Sequence, residues 1–202
     1  MSRALALALL PVLGIAGALP ASAGTAMPVG HPIIPPAGFL SFCVRYLREC
    51  RPSEGPPVTV ELTAEKRREL DAVQAQINAA ITPREDSTHA WDYAVAGYGD
   101  CNKFALGKRR ALIERGWPRQ ALSLATATTE RGEEHLVLVA HSRQGDLVLD
   151  NRLSPVVDWT DLPYRWTSLQ SAARPATWLS VLALPIATVA ANRVTPHAVT
   201  TN

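Results

Sequence analysis

Three side chains in this sequence could act together as a thiol catalyst: Cys101, His135 and Asp150. A cysteine nucleophile needs a general base within hydrogen-bond reach, and the base needs a third group that fixes its tautomer. Cys101 follows Asp100 in GYGDCNKFALGKRRALIERG, at the expected first turn of a helix. The partial positive charge and the unpaired N–H groups of such a helix end favour a thiolate. Asp100 opposes that effect unless capping N–H groups occupy its oxygens.

The stretch GEEHLVLVAHSRQGDLVLDN predicts a β-hairpin that carries both the base and its partner. With a four-residue loop at 142–145, His141 lies opposite Asp146, and His135 becomes the diagonal neighbour of Asp150. Diagonal neighbours in an antiparallel pair lie about 7 to 8 Å apart at the backbone, so an imidazole and a carboxylate can meet. The hairpin is therefore compatible with an orienting pair.

Spacing alone leaves other interpretations open. His141 or His89 could serve as the base, and Asp146 could orient a histidine as well as Asp150 can. Cys101 could equally be a buried, inert thiol. Metal chemistry is disfavoured, because the sequence has no CxxC or HExxH motif and no carboxylate-rich loop.

Two helices must precede the hairpin and position the thiol. LTAEKRRELDAVQAQINAAI repeats apolar residues at helical spacing, with Thr63 as the expected N-cap and a proline after it as the stop. The second helix is expected from about residue 101 to 115, with Asp100 as its N-cap and Gly116 as a left-handed stop. Lys108 falls among the apolar residues of this helix. A lysine there usually extends its ammonium to solvent, so we expect no catalytic role for it.

After residue 118 the apolar pattern changes to a period of two. Strands are expected around Leu122 and Leu124, in EEHLVLVAHS, in GDLVLDNR and near residues 178–182. Two helices followed by several strands are typical of an α+β fold, with N-terminal helices packed on a mainly antiparallel sheet.

The N-terminus has the pattern of an export signal. Residues 1–23 contain one charge, Arg3, followed by an apolar run and an Ala-Ser-Ala triplet, which is typical of a cleaved secretory signal peptide. We expect a flexible Pro- and Gly-rich arm at 24–40, one domain at 41–184 and a loose tail at 185–202. The mature protein is expected to be periplasmic or secreted, without stable insertion in a membrane.

The charge balance argues against one class of partner. The chain of 202 residues has a formal net charge of +2, whereas proteins that bind phosphate backbones carry a strongly basic surface. We therefore expect no nucleic-acid partner.

Two of the three cysteines, Cys43 and Cys50, lie seven residues apart in FCVRYLREC. A regular helix would separate their Cα atoms by about 10 Å, and a disulfide needs less than about 7 Å. We therefore expect a turn or a broken helix there, closed by a disulfide in an oxidising compartment. Two reduced thiols are the alternative. A closed pair leaves Cys101 as a free thiol that requires an explanation.

The order of several short motifs resembles that of the bacterial transglutaminase-like cysteine peptidases. GDC opens a helix with a lysine seven residues after the cysteine, LIERGWP follows, a histidine precedes an LVLV strand, and VLDN contains an aspartate. The resemblance runs from about residue 42 to 181. It includes the cysteine pair, Asn78, Trp91, Cys101, Lys108, His135, Asp150 and the TW segment at Trp178.

This resemblance implies a papain-like thiol-protease core in which Cys101 is the nucleophile and His135 the general base and acid. Asp150 would orient His135. The backbone N–H of Cys101 would be an oxyanion donor, and analogy with transglutaminases suggests Trp91 as a second support. The best-known members are periplasmic proteases that release surface adhesins during biofilm dispersal. The implied partner is therefore a protein substrate, at the cell surface or in the periplasm.

The sequence departs from the family pattern directly after the cysteine. Members commonly have GDCED, and in the adhesin-cleaving proteases the acids after the cysteine belong to a calcium site. Here the two positions are Asn102 and Lys103, and calcium prefers several oxygen ligands. Asp100 is left as a weak calcium candidate, and we expect no cofactor.

The leading hypothesis is an exported thiol peptidase that cleaves a protein substrate through a Cys-His-Asp triad and a thioester intermediate. One alternative is a transglutaminase-like acyl transferase, which passes the same thioester to an amine. The other is a catalytically silent binding module on the same fold. The sequence shows no acceptor site that would separate these activities.

Overall fold

The computed structural model describes residues 24–88 and 90–183. The helices are α1 Ala37–Arg45, α2 Ala64–Ala80 and α3 Cys101–Glu114; the strands are β1 Val29–Ile33, β2 Thr82–Pro83, β3 Tyr98–Gly99, β4 Leu122–Thr128, β5 Glu134–Ser142, β6 Gly145–Leu149, β7 Val157–Asp158, β8 Arg165–Gln170 and β9 Trp178–Val181. Seven strands of this part form one antiparallel sheet in the order β1-β9-β8-β4-β5-β6-β7, and β2 and β3 form a short parallel pair. The predicted α+β fold with a mainly antiparallel sheet is confirmed.

Helices α2 and α3 begin at the caps that the sequence predicts. The Thr63 hydroxyl accepts the N–H of Lys66 at 3.2 Å, and Asp100 caps α3 in the same manner. Gly116 follows the last turn of α3 with φ of 85°, a left-handed conformation that favours glycine. Both helices therefore start, and α3 also stops, for local reasons.

The β5–β6 hairpin has the predicted register. His141 pairs with Asp146, and Ser142 pairs with Gly145. The strands extend one pair further than expected, so the turn consists of Arg143 and Gln144 alone. His135 and His141 are separated by an even number of positions on β5, and side chains alternate across a strand. Both histidines therefore lie on the same face of the sheet.

Apolar side chains fill both faces of the sheet. The helices pack on one face, and the other face carries a smaller cluster. Representative buried residues on the helical side are Phe39, Leu70, Leu106, Leu138 and Trp178; on the other side they are Met27, Val137, Val139, Val148 and Trp159.

The N-terminal segment is more ordered than its composition predicts. A flexible arm is expected at 24–40, but the structure places β1 and the start of α1 there. β1 pairs antiparallel with β9 at the sheet edge, and the Met27 side chain is buried. An edge strand uses its hydrogen bonds on one side, so it tolerates Pro32. The expected signal peptide at 1–23 and the tail at 185–202 lie outside the described residues.

Cys43 and Cys50 form the predicted disulfide, with Cα atoms 5.6 Å apart. Helix α1 ends at Arg45, and a 3₁₀ turn at Leu47–Glu49 brings the second cysteine back. Cys101 is left as a free thiol. Within the described part of the chain, no helix combines the length and apolarity needed to cross a membrane.

Candidate active site

Cys101 is the first residue of α3, and its thiol is partly buried. The preceding Asp100 has both carboxylate oxygens engaged. Oδ1 accepts the N–H of Asn102 at 3.1 Å and that of Lys103 at 3.4 Å, and Oδ2 accepts the Asn102 side-chain amide at 3.1 Å. These capping bonds offset the negative charge of Asp100, which would otherwise oppose a thiolate at Cys101.

The imidazole of His135 lies against the carboxylate of Asp150 and interacts with the thiol of Cys101. Nε2 of His135 is 2.8 Å from Oδ1 of Asp150, and the interaction with the thiol contributes to the raised pKa of the ring. Asp150 is fully buried, and His135 is 8% exposed. Because Nε2 is bonded to the carboxylate, Nδ1 is the nitrogen available to the thiol.

Burial and hydrogen bonding act in opposite directions on this pair. Burial lowers the pKa of His135, but its bonds to Asp150 and Cys101 outweigh burial and raise the pKa to about 9. Burial raises the pKa of Asp150, but the bond to His135 and its other donors outweigh this and hold the pKa below its usual value. The arrangement therefore favours an imidazolium beside an ionised carboxylate.

Tyr164 is a site residue that the sequence did not indicate. Its hydroxyl donates to Oδ2 of Asp150 at 2.7 Å, and its ring lies edge-on to His135 with centroids 5.8 Å apart. The backbone N–H of Arg152 donates to Oδ1 of Asp150 at 2.8 Å. Burial and the bond to the carboxylate raise the pKa of Tyr164. LPYRW has no periodicity or motif, so no local pattern could have identified this tyrosine.

The backbone around Asp150 is held from α2. The side-chain amide of Gln74 donates to the carbonyl oxygens of Asp150 and Leu153 at 2.7 and 2.8 Å. The amide of Asn78 donates to Leu153 at 2.9 Å. Asn78 contributes to the family resemblance, whereas Gln74 is a fully buried polar residue that the helical pattern alone does not mark.

Lys108 contradicts the expectation that its ammonium reaches solvent. The side chain is fully buried, and Nζ has no hydrogen-bond partner among the described residues. The α3 face that carries Lys108 is covered by α2 and the sheet, so a side chain there has no path to water.

The other sequence candidates lie elsewhere. His141 is bonded to Asp146 and to Ser123, at 2.8 Å each. The ring of Trp91 packs in the core, edge-on to Phe39 and to Trp178. Support of an oxyanion by Trp91 stays a prediction. His89 lies outside the described residues.

A sequence model of the bacterial transglutaminase-like cysteine proteinases (BTLCP) matches residues 29–184. This chain belongs to that family. The family description is that of cysteine proteinases. A search of curated proteins found no match.

Solved structures similar to this BTLCP chain include Legionella pneumophila LapG. One LapG structure is 25% identical over 55% of this chain and 66% of its own, with a TM-score of 0.47, so the match spans slightly less than two thirds of that LapG chain. The calcium-bound form is 23% identical over 62% and 76%, with a TM-score of 0.50. The EGTA-treated form is 23% identical over 61% and 72%, with a TM-score of 0.49. The calcium-bound form indicates a shared fold.

Two residues after the BTLCP cysteine, the ammonium of Lys103 lies among three oxygens. Nζ is 2.6 Å from Oδ2 of Asp86, 2.9 Å from the carbonyl oxygen of Ala90 and 3.4 Å from Oδ1 of Asp100. In the described ranges, no group of three or more His, Cys, Asp or Glu side chains is placed to hold a metal. Carboxylate and carbonyl oxygens are calcium ligands. This set fits calcium only when the Lys103 side chain moves away.

One expectation from the sequence is wrong. Asn102 and Lys103 predict a chain without a calcium cofactor, but calcium-bound LapG is among the similar solved structures. The residues next to Cys101 are therefore too narrow a basis for excluding calcium. Asp86 and Ala90, from the loop before α3, supply oxygens that the short motif does not contain.

Proposed function

We propose that this BTLCP member is an exported thiol peptidase that cleaves a protein substrate through Cys101, His135 and Asp150. The observation that carries the proposal is the 2.8 Å bond between Nε2 of His135 and Oδ1 of Asp150, next to the free thiol. A buried carboxylate that fixes one ring nitrogen leaves the other to exchange a proton with the nucleophile.

Acylation follows from this geometry. With the proton of the Cys101 thiol held on Nδ1 of His135 as an imidazolium, the sulfur forms a bond to the substrate carbonyl carbon. The carbonyl oxygen becomes an oxyanion near the N–H of Cys101, which as the first helical residue has no intrahelical acceptor. His135 then gives its proton to the amine as the C–N bond breaks, leaving a thioester on Cys101.

Deacylation uses the same base. His135 takes a proton from water as the water oxygen attacks the thioester carbonyl, and the proton returns to sulfur when the C–S bond breaks. Asp150 stabilises the imidazolium in both halves, and Tyr164 holds the second oxygen of that carboxylate. Oriented and buried groups of this kind reorganise little during reaction, which is the main source of their effect.

Two features support export. Residues 1–23 have the pattern of a cleaved signal peptide. A disulfide between Cys43 and Cys50 suits an oxidising compartment such as the periplasm or the cell exterior. Mass spectrometry of protein recovered from the periplasm should find Gly24 at the N-terminus, and an intact Met1 there would contradict cleavage.

The catalytic proposal is tested by the rate of iodoacetamide alkylation of the mature protein across pH. We expect His135→Ala to slow alkylation of Cys101 at neutral pH by on the order of 10²-fold or more, since proton transfer by a positioned base contributes this much or more. Cys101→Ala should show no alkylation, and His141→Ala is the matched control that should react like the wild type. An ordinary thiol, reactive only toward pH ~8.5, would refute the proposal.

The products distinguish the alternatives. A labelled peptide mixture should yield new carboxyl termini with the wild type and none with Cys101→Ala. Conjugates to an added primary amine, formed in preference to hydrolysis, would instead indicate an acyl transferase. A reactive thiol that never forms a thioester with any peptide would indicate a binding module.

Calcium binding by this chain is tested at Lys103. We expect Lys103→Ala to bind calcium more tightly than the wild type in a calorimetric titration, because the oxygens of Asp86, Ala90 and Asp100 are then released from the ammonium. Equal affinity in the two proteins would place any calcium site elsewhere.

A further inference from the structure

A group of arginines lies beside the Cys43–Cys50 disulfide and takes no part in the proposed mechanism. A cavity of about 430 Å³ lies there. The charged residues of its lining are four arginines and one acid: Arg45, Arg48, Arg51, Arg110 and Glu49. We call this site the arginine cavity. The whole chain has a formal net charge of +2, so positive charge is concentrated here.

Neighbouring carboxylates offset only part of this charge. Oδ2 of Asp92 is 3.5 Å from Nε of Arg45. Glu49 is engaged outside the lining, since its Oε2 is 2.6 Å from Arg109 and 3.0 Å from Arg119. Arg109 is 4% exposed, and its buried Nε has no partner among the described residues. The one acid of the lining is therefore already paired, and the arginine cavity keeps an excess of positive charge.

Arg48 and Arg51 supply the unpaired part of that charge. Both side chains are exposed, and no ion pair joins either of them to another described residue. Arg48 lies within the loop that the disulfide closes, and Arg51 directly follows Cys50. On α3, the guanidinium of Arg110 stacks on the ring of Tyr93, 3.2 Å from its centroid. The backbone of the site is thus fixed before a ligand arrives, which lowers the entropy cost of binding.

The lining favours carboxylates carried on a polypeptide. Guanidinium groups bind carboxylates through paired, charge-assisted hydrogen bonds. Leu47 also lines the cavity and is 67% exposed, so an apolar side chain next to an acid gains a contact. A concave site admits single side chains, whereas a membrane surface meets protruding groups. A nucleic acid would need a more basic chain. The ligand that fits is a polypeptide segment with two or more Asp or Glu side chains.

The arginine cavity lies within reach of a substrate held at the thiol. Tyr93, which contacts Arg110, also lines a second cavity of about 320 Å³. Lys103, two residues after Cys101, lines that same second cavity. Along α3, Arg110 lies nine residues from Cys101, which is about 13 Å of helix. An extended chain advances about 3.3 to 3.6 Å per residue. A residue about four positions or more from the scissile bond can therefore reach the arginines.

We propose that the arginine cavity is an exosite of the peptidase, which binds an acidic segment of the protein substrate at a distance from the scissile bond. This inference rests on the proposed function and names a property of its substrate. Ion pairs at a surface contribute little singly, so the affinity depends on several arginines together. It also depends on salt, because exposed charges are screened.

Binding is tested with Cys101→Ala protein and fluorescein-labelled hexaglutamate, followed by fluorescence anisotropy. We expect Arg48→Glu combined with Arg51→Glu to weaken binding by about tenfold or more, because two attractions become repulsions. Arg68→Glu is the matched control, since it reverses an exposed arginine of α2, and it should bind like the parent. Equal binding by the double variant and the parent would overturn the proposal.

Two further measurements do not depend on the folding of a variant. Binding of hexaglutamate should weaken as sodium chloride is raised from about 50 to 500 mM, and hexaglutamine should not bind. Affinity that is insensitive to salt, or equal for the two peptides, would contradict recognition of carboxylates. Sedimentation with phosphatidylglycerol vesicles without any binding of hexaglutamate would indicate a lipid surface and overturn the proposal.

The cleavage products decide whether the acidic segment belongs to the substrate. A peptide mixture digested by the wild type should yield products enriched in Asp and Glu at about four or more positions from the new termini. The double variant should lose this enrichment, and Arg68→Glu should keep it. Cleavage without the enrichment would overturn the proposal. If none of the proteins cleaves any peptide, the peptidase function itself fails, and the substrate is excluded as the source of the acidic segment even where hexaglutamate binds.

Discussion

Two His–Asp pairs lie at opposite ends of the same hairpin, and the structure gives them different surroundings. His135 and Asp150 meet at the open end, and His141 and Asp146 meet beside the turn. Each imidazole nitrogen lies 2.8 Å from its carboxylate oxygen. The two pairs contain the same residue types, and their histidines share a face of the sheet.

The second ring nitrogen separates the two pairs. Nε2 of His141 is bonded to the hydroxyl of Ser123, which is fully buried, and the second oxygen of Asp146 accepts the N–H of Met27 at 2.8 Å. Every polar atom of that pair is used to join strands and the N-terminal segment. His135 instead has an interaction with the thiol of Cys101 that raises its pKa, and its second nitrogen is not bonded to the carboxylate. A carboxylate partner orients a histidine, and the group at the other nitrogen decides whether it can act as a base.

The comparison is tested most strongly by one isosteric change made at each pair, Asp150→Asn and Asp146→Asn. An amide at position 150 can donate to Nε2 of His135, which leaves the proton on Nδ1, facing the thiol. Peptide hydrolysis should fall by on the order of 10³- to 10⁴-fold, as expected for a base held in the wrong tautomer.

Asp146→Asn should leave hydrolysis within a few-fold of the wild type. Chemical denaturation should show a loss of about 1 to 3 kcal/mol, because a buried hydrogen-bond partner is lost. If both substitutions abolish hydrolysis in folded protein, the two pairs are not functionally distinct.

Removal of one hydroxyl at each pair gives a smaller effect. Tyr164→Phe deletes a donor to Asp150, whose pKa in the folded protein is depressed. Since the depression becomes smaller, Asp150 takes up a proton at higher pH. We expect the acidic limb of the hydrolysis profile to move up, with about a tenfold loss on the acidic side for a shift of one unit. The rate on the neutral plateau should change less.

Ser123→Ala is the matched change at the other pair. It leaves Nε2 of His141, which is partly buried, without its partner, at a cost of up to about 1 to 3 kcal/mol in the free energy of unfolding. The pH profile of hydrolysis should not move. A shift of the acidic limb in Ser123→Ala and none in Tyr164→Phe would reverse the assignment of the two pairs.

The sequence predicts the local parts of this site better than the contacts between distant segments. Capping by Thr63 and Asp100 and the register of His141 opposite Asp146 depend on a few neighbouring residues, and the structure agrees with them. Tyr164 and Gln74 reach Asp150 from other elements, and their positions depend on how the sheet and α2 are packed.

The degree to which a side chain is buried is a second property that the sequence does not predict well. The apolar face of α3 is visible in the pattern, but whether Lys108 can reach water depends on how completely α2 and the sheet cover that face. Likewise, an edge strand with Pro32 becomes recognisable once β9 is seen beside it. The alternation of side chains along the hairpin could not show which His–Asp pair meets the thiol. The thiol and the hydroxyl that distinguish the two pairs come from α3 and β4.

The smallest expected effect concerns the N-terminal segment around Met27, which is bonded to Asp146 of the His141–Asp146 pair beside the turn. Gly24 lies against the backbone of Gln144 and Gly145, and a Cβ there would collide with the carbonyl of Gln144. Gly24→Ala should therefore displace the segment and expose the N–H of Met27, which is bonded to Asp146. Hydrogen exchange at Met27 should accelerate by about tenfold for each 1.4 kcal/mol lost, while the alkylation rate of Cys101 stays unchanged. A slower thiol in this variant would show that the two ends of the hairpin are coupled, and the structural role given to His141 and Asp146 would then be incomplete.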